Sequence, residues 1–161
     1  MITLKAFERT PSLAELKVSY RRGRPRDSKQ GRMPLFVASS QGCAEYLRRL
    51  WDDDTIELRE EFVLLCLSGS HEVLGWVKLH TGGFNHAAID LRLVLGVALQ
   101  TASSSVIVAH NHPSGSLTPS PEDRALTRRL AEACELVGVR FLDHVIVTRD
   151  ASYSFADNGK W

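Results

Sequence analysis

The tightest constraint on this chain is the run Ser105 to Ala109, which is apolar after its first residue and leads without a break into His110. A continuous apolar run of this length is the profile of a strand covered on both faces, hence one in the middle of a sheet. Pro113 and Gly115 stop it. After a short loop, Ser120-Pro121-Glu122-Asp123 opens a helix whose apolar residues Leu126, Leu130, Ala133, Cys134 and Val137 recur at helical spacing, and Gly138 closes it.

A central strand needs neighbours, and the flanking sequence supplies them. Ser39-Ser40 precedes Ala44, Tyr46, Leu47, Leu50 and Trp51, which share one helical face. Phe62 to Leu67 and Val73 to Leu79, divided by the polar Ser68-Gly69-Ser70-His71, read as a β-hairpin that ends at Thr81-Gly82-Gly83. From Asp90, Leu91, Leu93, Val94, Leu95, Val97, Ala98 and Leu99 are apolar nearly all round, which predicts a helix buried against the sheet. Val139 to Val147 and Tyr153 to Phe155 predict two last strands. The order helix, two strands, helix, strand, helix, two strands points to an α+β or α/β sandwich with one main sheet.

At 161 residues and 43% apolar content, the chain is long enough for one core and short for two. No apolar run approaches the roughly 20 residues of a membrane span, and Met1 to Thr10 lacks a signal peptide's apolar centre, so a cytoplasmic protein without membrane attachment is expected. The three cysteines, Cys43, Cys66 and Cys134, are far apart and odd in number, which argues against a disulfide framework or a thiolate zinc cluster. The net charge of +1 is unevenly spread: Lys17, Arg21, Arg22, Arg24, Arg26, Lys29 and Arg32 face only Asp27. This basic tract reads as a solvated arm or as a grip on nucleic acid or another acidic partner. Residues 1–35 are therefore expected to form a basic arm, with Leu13, Leu16 and Val18 supplying a short edge strand or helix turn, and residues 36–161 to form the domain.

His110 and His112 stand two apart on an extended backbone, so both imidazoles point to one side and Asn111 to the other. Asp123, in the first turn of the next helix, can fold back over the strand end. Two neutral imidazoles and a carboxylate form a ligand set typical of catalytic zinc, with the fourth position left to water. A hydrolytic centre also needs a base outside the ligand set, for which Glu60 and Glu61 at the start of the hairpin are the candidates, and an oxyanion donor, for which Ser120 is placed. Each feature has a plainer explanation. Ser120 to Asp123 is also a helix cap, loop histidines are common, and a Glu pair before a strand is usually a solvated boundary. Their conjunction in one order favours the metal.

His110-x-His112, seven residues, Ser120, two residues, Asp123 is similar to the full signature of the JAMM metalloproteases, and the Pro-Ser-Gly after His112 resembles the RadC branch of that JAB/MPN superfamily. Glu60-Glu61-Phe62, Thr81-Gly82-Gly83, Asp90-x-Arg92, Leu142-Asp143-His144 and Ser154 to Asp157 resemble further landmarks of that branch. The resemblance covers about Ser39 to the C-terminus. It implies a cytidine-deaminase-like sandwich of helices around a mixed sheet. It also implies one Zn²⁺ held by His110, His112 and Asp123, oxyanion stabilisation by Ser120, and a glutamate base, Glu60 by position relative to Phe62, with Glu61 the alternative. Active members of the superfamily cleave peptide or isopeptide bonds. Larger RadC-like chains have an N-terminal helical domain where this chain has the basic arm, so the family's DNA-repair label is not carried over. The competing function is a nucleic-acid-associated module in which Arg21 to Arg32 grips phosphate and the metal site is structural or weakly active. Asp143 and His144 read as a buried hydrogen-bonded pair, with support of the metal ligands as the functional alternative. Asn111 reads as fixing its own turn. His71, His80 and His86 have no partner at ligand spacing.

Overall fold

The structure, a computed structural model, describes residues 39–81 and 89–159. The arm from Arg21 to Arg32, the segment around Leu13, Leu16 and Val18, the Gly82-Gly83 pair and His86 lie outside the described residues. Among the described residues, three helices and five strands follow in the expected order: α1 (Ser40–Arg48), β1 (Glu61–Leu67), β2 (Val73–Thr81), α2 (Leu91–Gln100), β3 (Ser105–Asn111), α3 (Pro121–Leu136), β4 (Arg140–Val147) and β5 (Ser152–Ser154). No helix among the described residues is long and apolar enough to cross a membrane.

The strands form one mixed sheet in the order β2-β1-β3-β4-β5. β1 lies antiparallel to both β2 and β3, β3 runs parallel to β4, and β5 returns antiparallel. Every residue of β1 and of β3 is buried, as the unbroken apolar runs require of central strands. Alternation along those strands divides the core. Val63, Leu65, Leu67, Ile107, Ala109, Val145 and Val147 pack with Cys43, Ala44 and Leu47 of α1 and with Trp51 and Ile56. Phe62, Leu64, Cys66, Val106 and Val108 pack on the other face with Val94 and Ala98 of α2 and Leu130 and Cys134 of α3. The three cysteines are all buried and free.

Local signals act where they were read. Ser39 caps α1, Asp90 caps α2 and accepts from the Arg92 backbone N–H, and Gly138 ends α3 with φ of +73°, a left-handed conformation that glycine adopts without a Cβ penalty. Arg92 turns back onto Asp90 as an exposed ion pair. α2 departs from expectation: only Val94 and Ala98 are buried in it, while Leu93 and Leu99 are about half exposed. The helix meets the sheet along one stripe, and no second layer covers its outer side among the described residues.

A candidate metal centre at the end of the central strand

His110 is the penultimate residue of β3 and is fully buried; His112 lies just past the strand end and Asp123 in the first turn of α3, both partly open to solvent. Ser120 is the N-cap of α3. Its hydroxyl accepts from the Asp123 backbone N–H at 3.0 Å, while its own backbone N–H donates to Asp123 Oδ2 at 2.8 Å, a reciprocal capping box. One carboxylate thus serves the cap and also faces both imidazoles. Oδ2 is held by the cap, and Oδ1 faces His110 Nε2 at 3.2 Å; Oδ2 lies 3.5 Å from His112 Nε2.

The two Nε2 atoms are 2.9 Å apart. His112 Nδ1 lies 2.7 Å from the Ser116 carbonyl oxygen, which can only accept, so His112 carries a proton on Nδ1 and, when neutral, turns a bare Nε2 inward. Two imidazole lone pairs at that separation repel unless something positive lies between them or one is protonated. The field there suits a cation. Hydrogen bonding to Asp123 raises the His112 pKa, with burial opposing and the Ser116 carbonyl and Glu60 adding to the rise. Burial pushes the Asp123 carboxyl up, but His110, His112 and Ser120 outweigh it and hold it far below the ordinary carboxylate range. Such a site favours either a proton or a metal ion, which compete for the same lone pairs. Donor atoms of a tetrahedral zinc site sit about 3.3 Å from one another. The two imidazole nitrogens, 2.9 Å apart, and their nearest carboxylate contacts, 3.2 Å from His110 to Oδ1 and 3.5 Å from His112 to Oδ2, lie close to that value. The ligand atoms of His110, His112 and Asp123 form a group that can hold a metal ion, all within 4.8 Å of one another.

The two glutamates separate. Glu61 is buried on the α1 side, where it accepts from Arg59 Nε at 3.0 Å and Lys78 Nζ at 2.6 Å. Glu60, partly buried one residue before β1, contributes to raising the His112 pKa and so lies within electrostatic reach of the site. Asn111, between the histidines, does not fix its own turn as expected. It projects to the opposite face of the sheet and ties down the segment that carries Glu60. Its Nδ2 donates to the Ile56 carbonyl at 2.6 Å and the Arg59 carbonyl at 2.8 Å, and its Oδ1 accepts from Trp51 Nε1 at 2.8 Å and the Glu61 N–H at 2.7 Å. Both peptide bonds of Glu60 are therefore fastened to the residue between the two histidines.

Asp143 and His144 are not the side-chain pair that sequence suggested, because neighbours on a strand point to opposite faces. Asp143 accepts from Ser154 Oγ at 2.6 Å and the Ala156 N–H at 2.9 Å, tying the C-terminal segment to β4. His144 lies behind His110, its Nε2 2.8 Å from His110 Nδ1, and its other nitrogen meets Thr127 Oγ1 at 2.6 Å. Its ring stacks on Phe155 with centroids 4.9 Å apart, and Phe62 stacks on His110 at 5.8 Å. Thr127 went unnoticed in the sequence. Its position four residues after Asp123 was the available signal, since that spacing returns to the same helix face.

A family model for the RadC-like JAB domain matches residues 37–160. The chain belongs to the RadC-like JAB domain family. Relatives of this RadC-like chain include a UPF0758 protein of Acinetobacter baumannii, 44% identical over 123 residues, which cover 76% of this chain and 51% of that protein. Others are UPF0758 proteins of Actinobacillus pleuropneumoniae, 42% identical over 101 residues (63% and 46% of the two chains), and of Flavobacterium johnsoniae, 40% identical over 100 residues (62% and 44%). The matched part of the RadC-like chain thus spans about half the length of the curated relatives it matches.

Proposed function

We propose that this RadC-like domain is a zinc-dependent hydrolase of peptide or isopeptide bonds, with Glu60 as general base and Ser120 as oxyanion donor. The observation that carries the reading is the convergence of two imidazole Nε2 atoms and a carboxylate at zinc-like spacing, with a face open to solvent. A zinc ion held there would act as a Lewis acid toward water and the scissile carbonyl. Glu60 takes a proton from the attacking water as its oxygen bonds to the carbonyl carbon, and delivers it to the amide nitrogen as the C–N bond breaks. The pairing of Glu61 with Arg59 and Lys78 supports Glu60 for this role. The Ser120 hydroxyl, which donates to Asp123 Oδ2 at 2.7 Å, swings to the carbonyl oxygen as negative charge develops there, while Oδ2 keeps the Ser120 backbone N–H.

Elemental analysis of the purified protein, followed by a peptide-library cleavage assay with and without chelator, tests the reading. Glu60→Gln is expected to keep zinc and lose cleavage by about 10²–10⁴-fold. Asp123→Ala is expected to lose both. Under the competing nucleic-acid reading, neutralising Arg22, Arg24 and Arg26 weakens DNA or RNA binding and flattens its salt dependence, and Glu60→Gln is silent. Correctly folded protein that takes up no zinc would refute the hydrolase.

A further inference from the structure

The proton bookkeeping behind His110 points to a residue outside the candidate ligand set. Thr127 Oγ1 lies 2.5 Å from the Asp123 carbonyl oxygen and 2.6 Å from His144 Nδ1. A hydroxyl has one hydrogen, and a carbonyl has none to give. Two oxygens 2.5 Å apart with no proton between them would repel, so the threonine proton lies toward the Asp123 carbonyl. The contact with His144 then needs a hydrogen from the ring, which puts a proton on Nδ1. His144 is fully buried between the rings of Phe155 and Phe62, surroundings that disfavour a charged imidazole. A neutral His144 protonated on Nδ1 has a bare Nε2, so the 2.8 Å contact with His110 is made by a proton on His110 Nδ1. That leaves His110 Nε2 bare and facing Asp123 Oδ1.

We propose that Thr127 is a positioning residue for the metal centre: acting through His144, its single hydroxyl proton fixes His110 in the Nδ1–H tautomer that presents Nε2 to a cation. The chain of contacts begins on the backbone carbonyl of Asp123 and ends on His110, so it joins the residues behind two of the three ligand groups. The inference rests on the reading of His110 as a ligand.

The test uses the full chain, with Zn²⁺ alone as probe. Titration calorimetry is expected to show zinc affinity about 10–100-fold weaker in Thr127→Val, the range found when groups supporting a ligand are removed, and restored in Thr127→Ser, which keeps the hydroxyl. Nitrogen-detected NMR of the imidazoles in metal-free protein is expected to place the proton of His110 on Nδ1 in the parent chain and on Nε2 in Thr127→Val. There His144 loses its acceptor at Nδ1 and instead donates from Nε2. A merely structural role for Thr127 would lower stability without moving that proton. Equal zinc affinity in Thr127→Val and the parent overturns the relay alone. Absence of zinc uptake by the parent overturns the metal centre and the relay with it. Should Thr127→Val not fold, the parent spectrum decides: a proton on His110 Nε2 overturns the proposal and one on Nδ1 supports it.

Discussion

Replacing Asn111 tests how the segment ahead of β1 is held. The side chain is completely buried and uses all four of its hydrogen-bonding positions. Asn111→Ala strands the Ile56 carbonyl, the Arg59 carbonyl, the Glu61 N–H and the Trp51 indole N–H. Arg59 is exposed, so water can replace the amide there, but Trp51, Ile56 and Glu61 are each less than 5% accessible. Three stranded groups at about 1–1.5 kcal/mol each, toward the low end for buried unsatisfied groups because water can enter part of the vacated space, give a loss of about 3–5 kcal/mol. A domain of this size has about 5–15 kcal/mol in all, so the variant should fold with a much lower urea midpoint and an unchanged slope. Asn111→Asp is the sharper variant. It keeps shape and the Oδ1 acceptor but turns a carboxylate oxygen toward two carbonyls, so near-perfect isosterism should do no better than alanine at pH 7. A loss below about 1 kcal/mol in Asn111→Ala, or an aspartate tolerated like the parent, would refute the reasoning. Because both peptide bonds of Glu60 hang on this amide, the folded variant should lose cleavage by a larger factor than zinc affinity.

Zinc at a hundredfold excess over its dissociation constant should stabilise the native state by about 2.7 kcal/mol, a rise of roughly 5–10 °C in Tm by calorimetry, and Asp123→Ala should abolish the shift. Gly138→Ala forces a Cβ into a φ of +73° at the end of α3 and should cost about 1–2 kcal/mol in urea unfolding, with zinc uptake unchanged. Burial pushes the Cys43 thiol up to about 12, with Asp143 adding to the rise, and Cys134 up to about 11, so both stay protonated at pH 8. A thiol-disulfide reagent should therefore modify them on the timescale of unfolding, and rapid labelling of the native protein at pH 8 would contradict their burial.

Order and type of the elements were legible in the sequence because their signals are local. An apolar run long enough for a strand, a serine or aspartate before a helical stripe, and a glycine after it act within one or two turns of chain, and Ser39, Asp90, Ser120 and Gly138 all act where they were read. The triplet His110, His112 and Asp123 was legible for the same reason: a strand's twofold alternation and a helix's first turn, 13 residues apart at most, set which way these side chains face. What surrounds them was decided by strand pairing. β3 lies between β1 and β4, which brings the Glu61 backbone to Asn111 across 50 residues and His144 to His110 across 34. Register then assigns faces, sending Glu61 to Lys78 and Asp143 to Ser154, and setting His144 behind a candidate metal ligand. Pairing partners are chosen by how well whole faces bury against one another, a sum over distant residues that no single stretch of chain carries.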